Sequence, residues 1–265
     1  MEYLDFLKTK QVKIQKSGFN VEDKDLNPIL FDFQKYCVKK ALSAGKYALF
    51  EDCGLGKTLQ QLEWAKHVSE YTNKPVLILA PLGVIHQTIK EGAKFGYNVS
   101  EISLTVFDQD LKAGIYITNY DNLENIGAYL FGGVVLDESS ILKNFNGKTK
   151  QQLVDDFNET PYKLCCTATP SPNDTMELCN HAEFLNVMTR NEMLAMYFVH
   201  DGGNTSSWRL KGHAERSFWN FVSTWAVMLT SPSDIGFDGS KYILPNLNIE
   251  EVFIETEKRD NGMLF

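Results

Sequence analysis

The sequence predicts an α/β fold, a parallel sheet flanked by helices, on three observations. Short apolar runs alternate with helix-length amphipathic segments from about residue 30 to about residue 187. Several of those runs are apolar throughout, as strands buried on both faces must be. The chain has 265 residues, 43% of them hydrophobic, enough to build a substantial core. Disordered, collagen-like and miniprotein classes are thereby excluded.

In chain order, the strand candidates are residues 47–50, 76–80, 102–107, 115–118, 134–137 and 163–167, each short and rich in β-formers. Helical stretches fall between them near residues 33–44, 57–70, 83–94, 147–157 and 173–186, the last preceded by the breakers Pro170, Pro172 and Asn173. Beyond residue 188 the rhythm changes to a helical region containing Trp208, Trp219 and Trp225. Within it Phe218, Phe221, Val222, Trp225 and Met228 fall at helical spacing and describe a core-facing stripe. A turn-rich stretch at 231–240 and an alternating, strand-like run from Ile249 to Glu255 follow.

Against 34 Asp and Glu stand 26 Lys and Arg, a formal net charge of −8, so this chain does not hold nucleic acid by bulk positive charge. Any such contact must be local. With no run of 18 apolar residues and no signal peptide, the expectation is an intracellular protein without a membrane partner, cytoplasmic or nucleoid-associated, or nuclear in a eukaryote. Cys37, Cys53, Cys165, Cys166 and Cys179 include no C-x-x-C pair and no His at zinc spacing, and are read as reduced and mostly buried.

The most informative segment is ALFEDCGLGKTLQQLEWA, an apolar strand running into a glycine-rich turn and then a helix. Backbone N–H groups at Cys53, Gly54, Leu55, Gly56 and Leu59 can converge on phosphate oxygens, Lys57 can neutralise β- and γ-phosphates, and the Thr58 hydroxyl can ligate Mg²⁺. The full spacing G-x-x-x-x-G-K-S/T is not met, because Glu51 occupies the first glycine position. A phosphate loop also requires an acidic strand end, and GGVVLDESS supplies one. Asp137 is assigned to Mg²⁺ and Glu138 to polarising the hydrolytic water, so Lys57, Asp137 and Glu138 form the expected catalytic set.

Six ordered blocks over residues 31–180 resemble the superfamily-2 helicases and translocases, and within them the Swi/Snf-like branch. FDFQKYCVKKAL resembles the upstream glutamine motif, with Gln34 at the adenine-reading position, and EDCGLGKTLQ is similar to DEMGLGKTxQ. LILAPLGVIHQTIKE resembles motif Ia and ITNYDNL motif Ib. LDESSILKNFNGKT resembles motif II with its Lys-Asn tail, and CCTATPSPNDTMEL resembles motif III. The departures are Ser139 and Ser140 where DEAD, DEAH or DEAQ would read, Cys53 for Met, and Thr-Ala-Thr for Thr-Gly-Thr.

The resemblance implies a RecA-like ATP-binding lobe over residues 1–187, with residues 188–265 forming accessory helices and the lobe's last strand. It implies ATP and Mg²⁺ as cofactors, coupling through Thr167, Ala168 and Thr169, and nucleic-acid contacts by Pro81, Leu82, Gly83, Thr118, Asn119, Tyr120, Lys143 and Asn144. Its motif II tail favours DNA over RNA, and duplex DNA as the track. The family completes its site with arginines from a second RecA-like lobe; no Q-x-x-G-R-x-x-R pattern occurs here, so that lobe is expected from elsewhere in the same or another chain, and turnover without it is expected to be weak. Two other readings stay open: an ATP-gated module that binds DNA or a partner without turnover, and a small-molecule phosphotransferase. Lys57→Ala is expected to abolish nucleotide binding, which titration with a fluorescent ATP analogue measures; unchanged affinity would remove the phosphate-loop assignment.

Overall fold

The computed structural model describes residues 17–102, 111–201, 204–243 and 250. Seven parallel strands form one sheet: β1 (Lys46–Glu51), β2 (Pro75–Ala80), β3 (Val99–Glu101), β4 (Gly114–Asn119), β5 (Gly133–Asp137), β6 (Tyr162–Thr167) and β9 (Ala226–Leu229), in the spatial order β3-β4-β2-β5-β6-β1-β9. A separate antiparallel hairpin joins β7 (Phe198–Asp201) to β8 (Asn204–Leu210). The helices are α1 (Asp32–Ala44), α2 (Lys57–Thr72), α3 (Ile85–Lys94), α4 (Lys148–Asp156), α5 (Leu178–Phe184), α6 (Arg190–Tyr197) and α7 (Glu215–Trp225).

Two apolar layers sandwich the sheet, and the two-residue strand period sorts side chains between them. From β1, Tyr47 and Leu49 join one layer, with Cys37 of α1 and Leu62 and Trp64 of α2. Ala48 and Phe50 join the other, with Leu153 of α4, Ala182 of α5 and Phe218 and Trp225 of α7. Every residue of β2 and β6 is buried, which explains the uninterrupted apolar character of β2, while in β6 the buried Lys163 donates Nζ to Phe184 O (2.8 Å) and Asn186 Oδ1 (2.6 Å). Fully buried Glu63 of α2 pins the entry to α1, accepting hydrogen bonds from Asn27 N (2.8 Å) and the Tyr97 hydroxyl (2.5 Å), with His67 Nε2 at 3.1 Å.

Five of the six expected strands and all five expected helices lie where the periodicity puts them. The strand expected at 102–107 falls largely on residues outside those described, and β3 immediately before it pairs with β4. The run Ile249–Glu255, read as the lobe's last strand, lies outside the described residues apart from Glu250. The region beyond residue 188 differs from a purely helical reading. Trp208 stands on β8 against His200, with ring centroids 3.7 Å apart, and Lys211 Nζ donates to the Ala195 and Met196 carbonyls, capping the end of α6.

The helical stripe also divides. Phe218, Phe221, Val222 and Trp225 are buried on α7, whereas Met228 sits exposed on β9. The backbone turns from helix to strand at Ala226, where pairing with β1 from Ala48↔Ala226 to Glu51↔Leu229 outweighs local periodicity. The main sheet therefore draws its edge strand from beyond residue 188. Of its tryptophans, Trp225 is fully buried against Phe50 and Phe221, whereas Trp219 is 38% exposed. Trp225→Ala is expected to cost about 3–5 kcal/mol and Trp219→Ala less than about 1 kcal/mol, as read from urea unfolding midpoints.

Candidate nucleotide site and adjoining cleft

Because all seven strands run parallel, their carboxyl ends share one edge, where open α/β sheets place ligands. Across that edge stand Asn119 (β4), Ala80 (β2), Asp137 (β5), Thr167 (β6) and Glu51 (β1), followed by Leu229 (β9). Two groups of expected residues are thus sorted: Pro81, Leu82, Asn119 and Tyr120 on one side, the phosphate loop on the other, and Asp137, Glu138 and Thr167 between them.

The loop leaves β1 through exposed Asp52 and Cys53 and enters α2 at Gly56. Gly54 (φ +85°) and Gly56 (φ +80°) take left-handed conformations that side chains disfavour. At Gly56 a Cβ would also come within 2.4 Å of Gln34 Nε2. No side chain caps the start of α2, although the Leu59 amide donates to Gly56 O (3.2 Å) and the Cys53 amide to Asp52 Oδ1 (2.7 Å). Lys57 folds back so that Nζ donates to the Glu51 (2.7 Å) and Asp52 (3.0 Å) carbonyls, holding a cation where phosphate oxygens would arrive. Gln34 is buried beneath the loop: Nε2 donates to Leu55 O (2.8 Å), and Oε1 accepts from Phe31 N (2.9 Å) at the start of α1. Its amide therefore supports the loop directly. Leu55 is buried and Leu59 packs on the same apolar layer.

Asp137 is half-buried and accepts a hydrogen bond from Gln61 Nε2 at Oδ1 (2.8 Å). Burial raises its pKa, and the Gln61 contact opposes that rise. Gln61 lies one helical turn from Thr58 on α2, so Thr58 and the Asp137 carboxylate belong to one neighbourhood. A half-buried carboxylate linked through Gln61 to the helical turn that carries the Thr58 hydroxyl suits a hard divalent cation, whose charge would oppose the rise that burial imposes. Exposed Glu138 adopts a left-handed conformation (φ 59°, ψ 57°), and its Oε1 accepts from the hydroxyls of Thr167 (2.5 Å) and Ser140 (2.8 Å). Thr167 Oγ1 accepts in turn from Thr169 N at 3.0 Å, so the two strand ends are joined through side chains, with half-buried Ala168 between the threonines.

On the far side of Glu138 lies a cleft of about 500 Å³, lined by Pro81, Leu82, Asn119, Tyr120, Ser140, Lys143 and Asn144 among others. Six of the eight residues expected to contact nucleic acid thus share one concavity. Gly83 is exposed outside that lining. Thr118 does not face the cleft: it is buried, and its hydroxyl donates to Ile102 O (2.6 Å), so its side chain serves the strand edge. Tyr120 spends its hydroxyl on the Asp137 carbonyl (2.8 Å), and Asn119 Oδ1 accepts from Asn122 N (2.8 Å).

Sequence reading missed Gln61, Ser140 and the state of Glu51. The available signal was polar residues on the buried face of α2, where Gln60 and Gln61 interrupt apolar spacing. Glu51 is fully buried; burial lifts its pKa to about 7, opposed by the hydrogen bond from Gln60 Nε2 (2.6 Å), by Lys57 and by Cys37. The folded state therefore holds this proton more tightly than the unfolded chain. Its stabilising contribution is complete below about pH 4.5 and declines as pH rises to about 7. Glu51→Gln is expected to remove that decline, so that wild type loses about 3 kcal/mol relative to the variant across this window, measurable by urea unfolding at several pH values.

The comparisons with known proteins agree with this geometry. A family model described as SNF2-related domain matches residues 43–196. Protein p41 of Acyrthosiphon pisum secondary endosymbiont phage 1 is 27% identical over 176 residues, 58% of this chain and 38% of that protein. YwqA of Bacillus subtilis (strain 168), named for an ATP-dependent helicase/translocase, is 26% identical over 154 residues, 52% of this chain and 16% of its own length. Among solved structures, the Sulfolobus solfataricus SWI2/SNF2 ATPase core in complex with dsDNA superposes with a TM-score of 0.63 at 20% identity, over 80% of this chain and 47% of that one. The same organism's ATPase core domain gives 0.61 at 20% identity, over 84% and 46%. This chain therefore spans less than half the length of these relatives. With the family model covering more than half of its residues, the chain belongs to the SNF2-related domain family.

Proposed function

We propose that this chain is the ATP-binding motor lobe of a Swi/Snf-like translocase, coupling Mg-ATP hydrolysis to movement on nucleic acid, with duplex DNA as its track. The observation that carries this reading is the hydrogen bond from Thr167 to Glu138, which joins the loop side of the sheet edge to the cleft side through the group assigned to water activation. Further support comes from the Sulfolobus solfataricus core of similar fold, whose structure holds dsDNA.

In this reading Lys57 leaves the Glu51 and Asp52 carbonyls to meet the β- and γ-phosphates, while the amides of residues 53–59 cradle them. Thr58 and Asp137 hold Mg²⁺, which supplies charge neutralisation when bound. Glu138, with two hydroxyls donating to Oε1, presents Oε2 to a water and accepts its proton. Thr167, Ala168 and Thr169 relay the state of that carboxylate. Lys143 and the polar groups of the cleft bind phosphates locally, which reconciles nucleic-acid binding with a net charge of −8. Arginines from a second RecA-like lobe would complete charge stabilisation, so turnover by residues 1–265 alone is slow.

The test is steady-state Mg-ATP turnover with and without duplex DNA, single-stranded DNA and RNA, using Lys57→Ala as control. Stimulation by duplex DNA supports the reading; stimulation by RNA alone would reassign the track. In the assembled motor, Glu138→Gln is expected to retain ATP binding and lose about 10²–10⁴-fold in turnover, and wild-type turnover by that variant would place the base elsewhere.

A further inference from the structure

Helix α5 follows the Thr167–Thr169 strand end after a turn-rich stretch and a short 3-10 helix at Thr175–Glu177, and it packs on the segment that follows Glu138. Two neighbouring side chains of α5 tie it to that segment, and a third contact orders the stretch leading into the helix. Asn180, 2% exposed, directs Nδ2 at the Leu142 (2.8 Å) and Lys143 (3.2 Å) carbonyls. Fully buried His181 shares a 3.2 Å hydrogen bond between Nε2 and the hydroxyl of equally buried Ser139. Asn173, just before α5, bonds through Nδ2 to Glu177 Oε1 (2.8 Å), closing the turn that leads from Thr169 into the helix.

Ser139–Lys143 is a single 3-10 turn, too short to satisfy its own terminal carbonyls. Asn180 supplies both missing donors at its far end, and His181 fastens its near end. The turn begins at Glu138, held in a conformation that a non-glycine residue adopts at a cost, and ends at Lys143 in the cleft. Its two ends therefore stand at the group assigned to water activation and at the cation assigned to phosphate contact.

We propose that Asn180 and His181 are positioning residues that make α5 a strut, fixing the Ser139–Lys143 turn so that Lys143 and Asn144 keep their places in the cleft while Glu138 stays bonded to Thr167. The inference rests on the reading of the cleft as a nucleic-acid surface. It assigns to α5 the mechanical link by which a change at the threonine strand end reaches that surface. His181 also packs edge-on against Phe50 of the loop-bearing strand β1, with ring centroids 5.1 Å apart, whereas the hydrogen bonds of Asn180 go to the turn alone, so Asn180 is the residue whose replacement should leave nucleotide affinity intact.

The test compares wild type, Asn180→Asp, Asn180→Ser and Lys143→Ala by amide hydrogen exchange, by titration with a fluorescent ATP analogue, and by fluorescence anisotropy of a labelled duplex DNA at low salt. Asn180→Asp keeps the shape but turns both donors into acceptors facing carbonyls. It is expected to speed exchange of the amides of residues 139–146 about tenfold or more, to weaken duplex binding about fivefold or more, and to leave ATP-analogue affinity and protection of α2 unchanged. Asn180→Ser, which retains one donor and tolerates burial, should fall between the two. Unchanged exchange in 139–146 overturns the strut, as does an equal loss of ATP-analogue and DNA binding, which marks a general folding role. Wild-type DNA affinity in Lys143→Ala defeats instead the cleft reading on which the inference stands, and removes the inference with it.

Discussion

Parallel pairing of seven strands is the constraint on which the rest of this structure depends. A parallel strand cannot return through a hairpin; each must be followed by a crossover, so every carboxyl end and every loop leading into a crossover gathers at one edge. The order of the strands then decides which loops meet. With β6 between β1 and β5, the threonine strand end is adjacent to both the phosphate loop and the acidic pair, and Thr167 can bond Glu138 without any loop reaching across. With β2 and β4 beyond β5, the cleft residues collect on the opposite flank. One topological fact thus produces a half that carries the glycine-rich loop, a cleft-facing half and a shared acidic seam.

Electrostatics along that edge are local. The chain is acidic overall, yet the groups that count are individually partnered: Lys57 by two carbonyls, Asp137 by Gln61, Glu138 by two hydroxyls. Burial raises the pKa of both Glu51 and Asp137, and for Glu51 the rise reaches about 7. A cation meeting Asp137 would offset the cost of burying its charge.

The region after residue 188 buttresses the sheet rather than standing apart from it. Helix α7 presses Phe218 and Trp225 onto the layer that contains Phe50 and Ala48, and the chain then turns directly into β9 beside the loop-bearing strand. Asp52 N donates to Leu229 O (2.8 Å), so the first residue of the phosphate loop is tied to the end of this late strand. Lys211 on the carbonyls of α6 and Trp208 against His200 show the aromatic and basic residues of this stretch engaged in packing and capping.

Much of this architecture was legible without coordinates, for identifiable reasons. Strands buried on both faces must be apolar throughout, so residues 76–80 and 134–137 stand out, and a glycine-rich turn between a strand and a lysine-headed helix carries its chemistry in its spacing. The acidic pair was visible because it terminates such a strand. What one-dimensional spacing cannot hold is which strand ends become neighbours and which polar side chains face inward. Thr118 has the right identity and position for an external contact, yet strand packing turns it toward Ile102, and only the fold shows that Gln34 of α1 also supports the loop through Leu55 O. Met228 continues a helical period but belongs to a strand, because parallel pairing with β1 outweighs a local preference worth tenths of a kilocalorie per residue. Local chemistry and element type were therefore determined by sequence, whereas adjacency at the sheet edge, the burial of Glu51 and the grip of α5 on the turn after Glu138 were decided by tertiary packing, since each depends on residues far apart along the chain.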